Sequence, residues 1–125
     1  MIIGHGIDII EVARVNDLLN RYPQRFQERI FTEAERDYCW SQSRSSESFA
    51  ARLAGKEAVY KIMSPQLKVL RWREINIAGK KTDKPYLELY QNTALTAERL
   101  GISDWHISLS HEKKYAIASV IAEGG

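Results

Sequence analysis

The first eleven residues limit what this chain can become more than any other stretch. From Ile2 to Ile10 the side chains alternate, with Ile3, Ile7 and Ile9 on one side and Gly4, Gly6 and Asp8 on the other. A period of two predicts a strand, because successive side chains of an extended backbone point to opposite faces. The isoleucines predict that the strand is buried. At about Glu11 the period changes: Val12, Val15, Leu18 and Leu19 recur at helical spacing. A helix therefore follows the strand with almost no loop.

The rest of the chain continues to mix the two periods. Pro23 ends or bends the first helix. Thr32, with Glu35 three residues on, has the capping-box pattern and starts a second helix carrying Tyr38, Cys39 and Trp40. Ser41 to Ser48 is polar and serine-rich and predicts a loop. Glu47 to about Met63 predicts a long helix, stopped by Ser64-Pro65. Strand-like runs at Trp72–Ala78 and Tyr86–Tyr90 flank the turn signal Asp83-Lys84-Pro85. Thr93 to Leu100 predicts a helix with Gly101 as its stop. His106–Ser110 and Tyr115–Ala122 form the arms of a hairpin joined by His111-Glu112-Lys113-Lys114. No repeat, low-complexity tract or linker divides the chain. The expectation is a single α+β domain over residues 1–125, a small antiparallel sheet packed with helices.

A chain of 125 residues can hide roughly two-thirds of its surface on folding. Its 44% hydrophobic and 27% charged content excludes disorder. The formal charge of +2 is too small to call for nucleic acid. Cys39 is the only cysteine, which rules out an internal disulfide and suits a reducing, cytoplasmic setting. The segment Met1–Gly6 has neither the basic region nor the apolar run of a signal peptide. Nowhere does the chain approach the roughly 20 apolar residues of a membrane span.

Four features could carry chemistry. Gly4-x-Gly6-x-Asp8 leaves space and exposed backbone beside one carboxylate, as a metal–phosphate site requires; equally, Asp8 could serve the start of the following helix. Glu57 and Lys61 stand four apart on a helix, a spacing that commonly gives a surface pair. Here Ala50, Leu53 and Ala54 lie near the same face, so the pair is partly enclosed. Two carboxylates with phosphate oxygens and water make a typical magnesium site, whereas one does not. Ser108-Leu109-Ser110-His111 could bind a phosphate or adenine, or simply cap a hairpin. Arg14 and Arg21, seven apart on the first helix and extended by Arg29 and Arg36, could be a solvated face or a landing site for an acidic helix.

Taken together these pieces are specific. Gly6-Ile7-Asp8-Ile9-Ile10-Glu11-x-x-Arg14, followed by Arg52-Leu53-Ala54-Gly55-Lys56-Glu57-Ala58-Val59-Tyr60-Lys61, resembles the phosphopantetheinyl transferase superfamily. More narrowly it resembles the short holo-[acyl carrier protein] synthase type. Ile30-Phe31-Thr32-x-x-Glu35, Lys84-Pro85 and Ser108-Leu109-Ser110-His111 with Tyr115-Ala116-x-Ala118 extend the likeness over essentially the whole chain.

The resemblance implies an α+β fold, a homotrimer with coenzyme A between subunits, and transfer of 4′-phosphopantetheine from coenzyme A to a serine of acyl carrier protein. It implies Asp8 and Glu57 as magnesium ligands and as catalytic groups together with Lys61, which would contact the phosphates. Arg52, Lys56 and His111 would meet the nucleotide part of coenzyme A, and Arg14 and Arg21 would receive the carrier protein. The base that takes the serine proton would be Glu57, Glu35 through a water, or hydroxide. No nucleic acid or membrane partner is implied. The chain departs from the family pattern at Gly55, where alanine is usual, and in residues 62–67, which contain no glycine. A magnesium phosphohydrolase and a non-catalytic carrier- or coenzyme-A-binding module are the competing classes.

Overall fold

A computed structural model describes residues 1–79 and 84–125. Strand β1 (Ile2–Glu11) passes directly into helix α1 (Val12–Arg21), as the change of period predicts. Helix α2 (Pro23–Ile30) then begins on Pro23 itself. The proline closes one helix and opens the next, because its fixed φ and missing N–H cost nothing in a first turn. Helix α3 (Glu33–Ser41) opens with the expected capping box. Thr32 Oγ1 accepts from the Glu35 N–H at 3.1 Å, and Glu35 Oε1 accepts from the Thr32 N–H at 2.8 Å.

Helix α4 (Ser45–Met63) starts inside the segment read as a loop; Glu47 in its first turn suits the positive end of the helix dipole. A 3-10 turn at Trp72–Glu74 takes the first part of the strand expected there, leaving β2 (Ile75–Ala78) paired antiparallel with β3 (Tyr86–Leu89). The turn expected at Asp83-Lys84-Pro85 lies partly outside the described residues. Helix α5 (Gln91–Arg99) stops just before Gly101, whose φ of 76° suits glycine. Strands β4 (Asp104–His111) and β5 (Tyr115–Glu123) form the predicted hairpin. The main sheet has the order β1-β5-β4, antiparallel throughout. The α+β class, with small antiparallel sheets packed by helices, is the one that forms.

One expectation is reversed. The isoleucine face of β1 is not the buried one: Ile3, Ile7 and Ile9 are 41%, 54% and 60% exposed. Gly4, Gly6 and Asp8 instead face α4, which lies across β1 and β5. β5 presents Ala116, Ala118, Val120 and Ala122 to the same side, all fully buried. With so little side chain between them, helix and sheet approach closely. A Cβ on Gly6 would sit 2.2 Å from the Ala58 carbonyl oxygen.

The same logic explains Gly55. A Cβ there would meet Ile77 Cδ1 at 2.5 Å and Ile107 Cδ1 at 3.3 Å. Glycine in a helix costs up to about 1 kcal/mol relative to alanine; here it admits side chains from both sheets to the helix surface. Towards the N-terminal half of α4 the core is aromatic. Phe31 meets Phe26 and Phe49 edge-to-face at centroid distances of 5.6 and 4.9 Å.

Gly6→Ala is expected to destabilise the protein by about 1–3 kcal/mol, the usual range for overpacking a close contact. Urea or thermal unfolding, with the exposed substitution Val69→Ala as a control that changes stability little, checks it.

Candidate active site

The close seating of β1 against α4 delivers a carboxylate from each to one place. Asp8 stands on the glycine face of β1, and Glu57 and Lys61 stand one turn apart on α4. Lys61 does not pair with Glu57, as the four-residue spacing suggests. Its ammonium reaches across to Asp8 Oδ1 at 2.8 Å and to the Ile7 carbonyl at 3.0 Å. Asp8 Oδ2 is buried and has no hydrogen-bond partner. The Glu57 carboxyl faces it, so two acceptors confront each other, and only a proton or a cation between them satisfies both.

Burial pushes Glu57 up from 4.5 to about 7, and the Asp8 carboxyl beside it adds to the rise, while the charges of Lys61 and Arg14 pull the other way. Arg14 is exposed on α1, yet its field reaches the acidic pair. Sequence spacing gave no sign of that, because the two meet only through the packing of α1 on α4. A shallow hollow of about 220 Å³ lined by Ile7, Asp8, Ile9, Lys61 and Ile117 opens here. Among the described residues no three His, Cys, Asp or Glu gather as a metal cluster. The pair therefore has oxygen donors for a hard cation only if a ligand supplies more.

The other expected site residues lie apart from this pair. His111 Nδ1 bonds Glu47 Oε1 at 2.9 Å near the beginning of α4. Glu47 precedes Glu57 by ten residues, about 15 Å along a helix. Arg52 is 6% exposed, stacks on the Tyr38 ring at 4.1 Å and leaves its buried Nε without a partner. Arg21 is on the surface, paired with Asp17 at 3.2 Å; such exposed pairs contribute little.

Lys56 is not brought to the site. It is wholly buried, 2.7 Å from Glu35 Oε1, and donates to the carbonyls of Trp72 at 2.9 Å and Ile75 at 2.6 Å. Burial pulls its ammonium down from the ordinary value of 10.5, and Glu35 opposes that pull. Glu35 in turn accepts from the Thr32 and Ile77 N–H groups. Both Glu35 oxygens are engaged and the side chain is buried, so it has no open oxygen with which to act as a base through water. A charge this deep is tolerated only when so completely paired. Cys39 is also buried, and burial pushes its thiol up to about 12, which leaves it unreactive.

With this geometry in view, the relationship to known proteins is direct. Residues 4–120 match the family model of the 4′-phosphopantetheinyl transferase superfamily, and the chain belongs to that superfamily. Its relatives there are holo-[acyl-carrier-protein] synthases: the one from Halothermothrix orenii is 38% identical over 125 residues, covering all of both chains. The structure of the Neisseria meningitidis holo-[acyl-carrier-protein] synthase superposes with a TM-score of 0.87 at 30% identity, covering 98% of this chain and 99% of that one. The Bacillus anthracis synthase, solved in complex with CoA (3′,5′-ADP), gives 0.79 at 34% identity and covers 100% and 99%.

The raised Glu57 carboxyl has a consequence for stability. Its folded pKa, about 7, lies above the ordinary 4.5, so the metal-free protein is favoured while the group holds its proton. That contribution is full below pH 4.5 and is lost as pH rises through 7. The melting temperature of the metal-free protein should fall over this window, and the fall should be absent in Glu57→Gln. Thermal melts at closely spaced pH values in chelator read it out.

Proposed function

We propose that this enzyme transfers the 4′-phosphopantetheine group from coenzyme A to a serine of apo-acyl carrier protein, releasing adenosine 3′,5′-bisphosphate. The observation that carries the reading is the facing pair of Asp8 and Glu57 with Lys61 bonded to one of them, in a chain related to holo-[acyl-carrier-protein] synthases from end to end. In the reaction the serine oxygen bonds to the phosphorus next to pantetheine as that phosphorus parts from the bridging pyrophosphate oxygen. The serine proton is given up.

The donor set fits a magnesium ion: a buried, unpartnered carboxylate oxygen on Asp8 and a second carboxyl facing it are hard oxygen ligands that want a positive charge between them. When bound, the ion supplies charge neutralisation for phosphate oxygens. The chain's own residues do the rest. Asp8 and Glu57 would hold that ion beside the pyrophosphate. Lys61, on the open side, meets the phosphates and stabilises the leaving bisphosphate. Arg14 and Arg21 on α1 receive the acidic carrier protein, on the face whose Arg14 charge is felt at Glu57. Arg52 and His111 take the nucleotide end, and Lys56 leaves the ligand-contacting set for a structural role. With Glu35 fully engaged, Glu57 or hydroxide remains to accept the serine proton.

The exposed isoleucines support the homotrimer. Ile3, Ile7, Ile9 and Ile117 form an apolar face on the outer side of the main sheet, interrupted by His5 and His106 beside Ile121. Monomeric proteins rarely leave such a face in water. In such an assembly coenzyme A would bind between subunits, as the resemblance to the synthases implies. No helix among the described residues is long and apolar enough to cross a membrane. The single buried thiol suits the cytoplasm, where we place the reaction.

The deciding measurement weighs apo-carrier protein after incubation with the chain, coenzyme A and magnesium. One added phosphopantetheine is expected, and Asp8→Ala and Glu57→Gln should each slow its addition by at least about a hundredfold. Turnover of coenzyme A without carrier protein would point to a phosphohydrolase, and unimpaired variants would refute the site. Separately, Ile9→Glu should convert a trimer to monomer in sedimentation and lower transfer, whereas a monomeric parent protein would refute the assembly.

A further inference from the structure

A second concave site lies on another side of α4. A cleft of about 620 Å³ opens between α2, α3 and the segment around the 3-10 turn, and none of its lining residues belongs to β1 or α4. Four arginines line it: Arg29, Arg36, Arg71 and Arg73. Half-buried Trp72 and the exposed Tyr90 supply flat aromatic surface beside them. The acidic residues of the lining are Glu33 and Glu74, so the wall carries an excess of two positive charges (four minus two).

The existing contacts leave most of this charge unanswered. Glu74 Oε1 is taken by the N–H and hydroxyl of Thr93, both at 2.9 Å, and its other oxygen lies 3.8 Å from Arg71. Arg73 donates to the Glu28 carbonyl at 3.0 Å, and Arg36 only weakly to the Thr32 carbonyl at 3.5 Å. Among the described residues no carboxylate comes within salt-bridge distance of Arg29, Arg36 or Arg73. Arg73 even adds to the forces that lower the Lys56 ammonium behind it. Like charges gathered in a hollow lose energy by repulsion unless an anion joins them.

The chemistry of the lining selects the kind of anion. Guanidinium forks match phosphate oxygens two bonds at a time, and tryptophan and tyrosine faces accept a planar ring. The volume is that of a small-molecule pocket. We propose that this cleft binds a nucleoside phosphate, with its phosphates on the arginines and its base against Trp72 and Tyr90, as a site separate from the Asp8–Glu57 pair. The cleft also touches the transfer machinery. The Trp72 carbonyl accepts from Lys56, the residue before Glu57, so an occupant pressing on Trp72 bears on the segment that supports the catalytic carboxyl.

The test uses the whole chain labelled with 5-fluorotryptophan, whose three tryptophans give separate fluorine resonances; Trp72→Phe identifies the one at the cleft. On titration with ADP the Trp72 resonance should shift saturably, with adenosine and inorganic phosphate each binding at least about tenfold more weakly. Arg29→Gln/Arg71→Gln should weaken the ADP response about tenfold, and Lys61→Ala should leave it intact. A Trp72 resonance that ignores ADP overturns the proposal, as does a response unchanged in the arginine double variant or lost in Lys61→Ala. Phosphate binding as well as ADP would overturn the nucleoside assignment. The readout needs neither carrier protein nor transfer, so failure of this site and failure of the transferase reading are separate results.

Discussion

Everything at the candidate active site depends on how closely α4 lies on the glycine and alanine face of β1 and β5. Helices usually rest on sheets through a full layer of side chains. Here Gly6 touches the Ala58 carbonyl so nearly that no Cβ fits between them. Asp8 is two residues from Gly6 on the same face, and Glu57 adjoins Ala58. The contact that removes side chains from the interface therefore carries two carboxyl groups into each other's company. The cost is a buried, unpartnered oxygen on Asp8 and a Glu57 carboxyl that holds its proton to about pH 7. Such strain is what a cation or a phosphate-bearing ligand can relieve.

The second dependence is the buried Glu35–Lys56 pair. Glu35 closes the cap of α3 and accepts from β2, while Lys56 extends from α4 to the carbonyls of Trp72 and Ile75. One ion pair thus ties together two helices, the small sheet and the 3-10 turn. Charges in a protein interior are costly unless they are paired and hydrogen-bonded, and here the ammonium has three partners and both carboxylate oxygens are engaged.

Much of this was legible in the residues. The strand-to-helix switch at Glu11, the capping box at Thr32 and the stop at Ser64-Pro65 are local signals, and each behaves as local physics requires. Pro23 was ambiguous, because the same fixed φ that ends one helix starts another. The serines after Ser41 misled in the same way, since polar residues suit a loop and a first helical turn alike. The Glu57–Lys61 spacing suggested a partly enclosed pair, but Lys61 is exposed and chose Asp8, a partner 53 residues away, over its helical neighbour.

The sequence alone determined the order and type of most elements, though not α2 or the 3-10 turn, and the two motifs that place the chain in its superfamily, because these rest on short-range periodicity and on residue identity. Tertiary structure decided which face of β1 is inside. Alternation says that two faces differ, not which one meets the helix, and hydrophobicity argued for the wrong one. It also decided that Lys56 belongs to the core, that Arg14 reaches the acidic pair, and that four arginines distant in sequence share one cleft. Each of these is a meeting of residues far apart along the chain, and only packing brings them together.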